Sequence, residues 1–114
     1  MKAIQNKYFA NYILDDAQKW VEVPDARPVK IPGIDGIEFF AHHDELSRYK
    51  NAWRISEAQT GCLIWAGRGK LPELIAECAE NLKVYITSKN INIQDVVAQY
   101  IKEHSISPRY KEQS

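Results

Sequence analysis

A chain of 114 residues, 45% hydrophobic and 26% charged, has the size and balance of one globular domain with a single core. Lys plus Arg and Asp plus Glu number 15 each, so the net charge is zero, which excludes a chain-wide phosphate-binding surface and leaves room only for a local basic patch. Two cysteines are too few for a disulfide framework, no stretch approaches the roughly 18 apolar residues of a membrane span, and Met1–Lys7 has no apolar signal core, so no membrane partner and a soluble, cytoplasmic setting are expected.

In chain order, Lys7-Tyr8-Phe9-Ala10-Asn11-Tyr12-Ile13-Leu14 is dense in aromatic and branched residues, Asp15–Gln18 interrupts it, and Lys19–Val23 resumes the apolar pattern before Pro24. This reads as a hairpin closed by a four-residue loop. A single helix, carried by Ile4, Tyr8 and Tyr12 at a spacing of four, is the competing reading. The Val21–Val23 alternation ending at a proline favours strands. Pro24–Pro28 is a connector. Val29–Ile31 and Ile37–His42 then read as strands around the turn Pro32-Gly33-Ile34-Asp35-Gly36, and Asp44–Asn51 as a polar loop with one helical turn capped by Asp44.

The clearest unit runs from Trp53 to Leu82. A four-residue loop, Ala58–Gly61, pairs Glu57 with Cys62, Ile55 with Ile64 and Trp53 with Ala66, gathering the apolar residues on one face and setting Arg54 opposite Trp65 on the other. Gly67-Arg68-Gly69-Lys70 frees the backbone to turn, Pro72 and Glu73 suit a first helical turn, and Leu71, Leu74, Ile75, Cys78, Ala79 and Leu82 recur at helical spacing. The pattern extends through Tyr85 and Ile86 and ends near Ser88-Lys89-Asn90. Asn92 is an N-cap, with Ile91 and Val96 spaced as a staple. Ile93, Val96, Val97, Tyr100, Ile101 and His104 trace the face of a second helix. The expected fold is therefore α+β: an antiparallel sheet of four to six strands built from hairpins, followed by two amphipathic helices packed on one face. It spans a single domain over residues 1–104, with residues 105–114 as a flexible tail.

Few residues carry recognisable chemistry. His42 and His43 are neighbours on a strand and point to opposite faces, so they do not share a metal; no metal or cofactor is expected. Cys62 and Cys78 fall on apolar faces, and the acidic pairs Asp15-Asp16 and Asp44-Glu45 fall in turns, so catalytic residues are not assigned; a small hydrolase ranks third among the functional readings. Gly67-Arg68-Gly69-Lys70 lacks the spacing of a Walker A loop.

That loop, with Ile75-Ala76-Glu77-Cys78-Ala79, resembles the last third of a double-stranded RNA-binding domain, which implies phosphate contacts at the helix start. It departs from that pattern in having only Lys70 where a lysine cluster stands, and Pro72 and Glu73 where further basic residues belong. Trp53-x-Ile55-Ser56-Glu57-x-x-Thr60-Gly61, followed by a Gly-rich step into a helix, is similar to small hairpin-then-helix proteins of unknown function from phages and other mobile elements. The similarity covers Trp53–Leu82 and implies an accessory protein that acts by binding.

One sheet face remains. If Ile37, Phe39 and Ala41 face the core, then Glu38, Phe40 and His42 share the other side with Arg54, Ser56, Leu63 and Trp65. Aromatics, a leucine and an arginine there exceed what a solvated surface needs. The first expectation is thus a non-enzymatic protein that binds a protein partner, or a second copy of itself as a homodimer, through Phe40, Arg54, Leu63 and Trp65. The alternative is nucleic-acid binding through Arg54, Arg68, Lys70 and Lys83.

Overall fold

The structure, a computed structural model, describes residues 3–44 and 47–111. It is α+β. Strands β1 (Phe9–Leu14) and β2 (Ala17–Glu22) form a two-stranded antiparallel ribbon. Strands β3 (Arg27–Val29), β4 (Phe39–His43), β5 (Ala52–Glu57) and β6 (Leu63–Arg68) form an antiparallel sheet in that order. Helices α1 (Leu71–Lys89) and α2 (Ile93–Glu103) follow, and a 3-10 turn, Pro108–Tyr110, comes last.

The N-terminal segment is the hairpin, not the helix, but its loop has two residues rather than four. Leu14 pairs with Ala17, and Asp15 and Asp16 take φ of 51° and 63°. Aspartate tolerates this left-handed region because its short side chain can satisfy nearby backbone. Ala17 and Gln18 are thereby released into β2. Pro28 sits on β3, an outer strand, where its missing N–H is harmless. The helical turn expected after Asp44 falls partly outside the described residues.

The loop between β5 and β6 has the four residues expected: the Glu57 amide donates to the Cys62 carbonyl at 3.0 Å and the Gly61 amide to the Glu57 carbonyl at 2.8 Å. Beyond it the register departs from the expectation. A bulge between Ile55 and Ser56 sets Ser56 opposite Leu63 but Ile55 opposite Trp65, so Arg54 faces Ala66. One extra residue in β6 moves Trp65 to the other side of the sheet.

On that side lies the main core. Phe39, Ala41 and Ile55 meet Leu74, Cys78 and Leu82, one stripe of α1 at i, i+4, i+8, and Ile64 and Trp65 pack at its margin. Asn90, at φ 52°, ends α1 in a left-handed cap, and the Asn92 side chain accepts from the amides of Gln94 (2.8 Å) and Asp95 (3.3 Å) to begin α2. Helix α2 packs more lightly: Val97 is its buried residue, and Val96 is exposed.

A second core fills part of the opposite face. Phe40 packs with Tyr8, Ala10, Val23, Ala58 and Tyr110. The ribbon docks on Gly61, where a Cβ would stand 2.5 Å from Trp20 Cζ3 and 2.9 Å from the Asn11 amide nitrogen. The segment after α2, read from sequence as a loose tail, is pinned in this core. Arg109 and Tyr110 are buried, and Ser107 is fully so. Arg109 makes a two-pronged ion pair with Glu38 (2.7 and 2.9 Å) and donates to the Gln5 carbonyl at 2.7 Å, while the Tyr110 hydroxyl also donates to Glu38. Pro108 hides this role in the sequence, because it starts a 3-10 turn rather than ending all structure.

Candidate nucleic-acid interface at one end of the sheet

The four residues expected to share a partner surface do not share one. Phe40 is fully buried, with its ring 4.9 Å from that of Tyr8, because the N-terminal ribbon covers it. Trp65 is turned to the α1 side by the bulge and is half-buried against the main core. Leu63 is 44% exposed. Arg54 does lie on the face of Phe40 and His42, and its guanidinium is 3.8 Å from an Asp44 carboxylate oxygen. His42 and His43 do point to opposite faces: His42 stacks on Phe40, and His43 stacks on Trp53.

The strand register instead concentrates charge at one end of the sheet. Arg27 at the start of β3 pairs with Ala41, His43 at the end of β4 with Trp53, and Ala52 at the start of β5 with Arg68 at the end of β6. Beyond the strands, the Gly69 amide donates to the Asn51 carbonyl at 2.9 Å, which ties the loop before α1 to the loop before β5. Gly69 takes φ of 130°, a conformation side chains rarely adopt, so this close crossing requires glycine.

Two aromatic rings organise the cations. Tyr49 is 43% exposed; the Arg68 guanidinium lies 3.9 Å from its ring centroid, and Arg48 donates to its hydroxyl at 3.1 Å. On the opposite face Trp53 stacks on His43 with centroids 4.0 Å apart and carries Arg27 at 5.0 Å. Asp25 holds His43 through its amide and its Nδ1, each at 3.1 Å. Burial opposes ionisation of Asp25, but the His43 hydrogen bonds outweigh it and leave its carboxyl below the ordinary aspartate value.

Arg27, Arg48, Lys50, Arg54, Arg68 and Lys70 therefore stand at this end, against Asp25, Asp44 and Glu73 among the described residues. In a chain of zero net charge, six of the 15 Lys and Arg residues thus stand at this end, against three described acids. Of the residues expected to touch nucleic acid, Arg54, Arg68 and Lys70 are brought together. Lys83 is not: it is about 20 Å further along α1, and lines a groove with Pro32, Gly33 and Ala79. Arg27, Arg48, Tyr49 and Lys50 were missed, although Arg48-Tyr49-Lys50 is a basic–aromatic run in a loop, which is a legible signal.

Glu57 and Cys78, both buried, serve the fold. Glu57 is buried, and its carboxylate accepts the amides of Gln59 (2.6 Å) and Thr60 (2.8 Å), shaping the loop on which the ribbon docks. Burial pushes its carboxyl above the usual glutamate value despite those bonds. Burial also pushes the Cys78 thiol up to about 11, which suppresses the thiolate needed for nucleophilic work. No protein-family model, no curated protein and no solved structure matches this chain.

Proposed function

We propose that this protein is a small non-enzymatic binding module that holds single-stranded nucleic acid at the basic, aromatic end of its sheet. The observation that carries this reading is the arginine-clamped, exposed Tyr49 ring beside Arg54, Arg68 and Lys70 in a chain with no net charge. Cations along a groove and an aromatic ring for a base are the two parts that sequence-tolerant single-strand binders combine. A duplex suits this end less well. Pro72 and Glu73 take away an amide donor and add a negative charge at the start of α1, the element that would approach a groove. The resemblance of Trp53–Leu82 to small hairpin-then-helix proteins of unknown function from phages and other mobile elements would imply an accessory chain that acts by binding, and its free thiols fit a cytoplasmic setting.

Fluorescence anisotropy with a labelled single-stranded oligonucleotide at rising salt tests the reading. If about four cations meet phosphates, log K falls against log salt with a slope of about −3. Arg68→Glu, which reverses the charge above Tyr49, is expected to weaken binding at least about tenfold, or ~1.4 kcal/mol, at low salt. No binding to single strands, or affinity indifferent to salt, refutes it.

A further inference from the structure

On the reading that this end of the sheet holds single strands, we infer that the Asp25–His43 pair regulates its affinity by pH, tightening the hold on phosphates when His43 is protonated. Imidazole is the side chain whose charge ordinarily changes between pH 5 and 8. The chain has three histidines. His42 is buried against Phe40, and His104 stacks on Tyr100 at the end of α2. His43 stands at the basic end with its side chain 46% exposed, open to protons from water. One Asp25 oxygen accepts from the His43 amide and faces Nδ1, each at 3.1 Å. An ionised carboxylate only accepts, so Nδ1 carries a hydrogen in both charge states, and Nε2, across the ring, is the atom that gains or loses the proton. The contact to Asp25 thus holds in both states, while the pair passes from one negative charge to none as pH falls.

That change occurs among the groups that would hold phosphates. The His43 ring and the Arg27 guanidinium lie 4.0 and 5.0 Å from the centroid of one ring, Trp53. A phosphate on Arg27 is therefore close to the pair on the scale of the ~8–10 Å Debye length, within which charges are felt. Next along β5, Ala52 pairs with Arg68, the arginine over Tyr49. Around the switch stand Asp25 on the connector before β3, Arg27 on β3, and His42, whose Nδ1 lies 3.0 Å from the His43 carbonyl oxygen. On the reverse face of β5 is Arg54, 3.8 Å from an Asp44 oxygen. The arginines stay charged, and Asp25, held below the ordinary aspartate value, stays ionised. With His43 neutral, the Asp25 charge repels phosphate. With His43 protonated, that charge is cancelled and Nε2 adds a hydrogen-bond donor.

Fluorescence anisotropy at low salt with a rhodamine-labelled oligothymidylate, a probe whose bases and label keep their charge, tests this at about pH 5.5 and about pH 8. Wild type should bind about two- to fivefold more tightly at the acid end, the range of one exposed charge interaction. His43→Gln should bind equally at the two pH values. Linkage requires bound oligonucleotide to favour the proton by the same factor, so the titration midpoint of the His43 ring, followed by NMR, should rise by about 0.3–0.7 of a pH unit on saturation with oligothymidylate. A purely structural histidine would not move. Equal wild-type affinity at both pH values overturns the switch and leaves the single-strand site standing. So does a pH dependence that survives His43→Gln, which places it in His42 or His104. No binding at either pH overturns the site and the switch with it. Should His43→Gln fail to fold, the wild-type midpoint decides, and one that stays fixed on binding overturns the switch.

Discussion

Single residues divide this molecule into groups that hold it together and groups left for a partner. Glu38 and Arg109 belong to the first kind. Burial pushes the Glu38 carboxyl up, but hydrogen bonds from Arg109, Tyr110 and Tyr8 and the Arg109 charge outweigh it, so its folded pKa lies below the ordinary value of 4.5. A depressed carboxylate contributes stability that is full above its unfolded pKa and is lost as pH falls through the folded one. Urea melts should therefore show Glu38→Gln less stable than wild type at neutral pH, with the gap closing below about pH 4. Arg109→Ala should cost about 2–4 kcal/mol at neutral pH, short of the full penalty for a buried pair because Glu38 keeps 34% of its side chain exposed. Phe40 and Leu63 give a sharper contrast. Phe40→Ala opens a cavity in a sealed core and should cost about 3–5 kcal/mol, whereas Leu63→Ala, on an exposed side chain, should stay within about 1 kcal/mol in the same melts.

Among the elements, local chemistry set what could be read in advance. Helix α1 was legible because its apolar stripe, Pro72, Glu73 and the Asn90 stop agree with one another, and α2 because Asn92 is a strong cap. The β5–β6 loop was legible from the requirement that apolar residues share a face. The bulge after it was not, because an extra residue in an edge strand leaves the apolar pattern of Cys62–Ala66 readable in either register. That single slip moved Trp65 from the expected binding face to the core. The two-residue Asp15-Asp16 turn was missed because neither position carries the glycine or asparagine that normally marks it. It remains a soft point: Asp16→Gly relieves a φ of 63° and should raise stability by about 0.5–1 kcal/mol in thermal melts. Gly61→Ala should do the reverse. Its Cβ would drive into Trp20 and the Asn11 backbone at φ 67°, lowering stability by about 2–4 kcal/mol and undocking the ribbon, with Trp20 fluorescence shifting to the red.

At the scale of the whole molecule, two cores lie on opposite faces of one sheet, and the ends of the strands are left to carry charge. The candidate site was only half visible in the sequence. Arg54, Arg68 and Lys70 could be named from their neighbourhood, yet Lys83 was grouped with them by charge alone. Arg27 and the Arg48-Tyr49-Lys50 loop join them only through strand register and the Gly69–Asn51 crossing, which are long-range facts. The most direct test is a two-dimensional amide NMR titration of the folded protein with a short single-stranded oligonucleotide. The expected shifts gather at Arg27, at Arg48–Arg54 and at Arg68–Lys70, and they fade as salt is raised. Shifts centred instead on the α2 groove around Ile91–Tyr100, or on Lys83 and Pro32, would contradict the assignment of this end of the sheet as the binding surface.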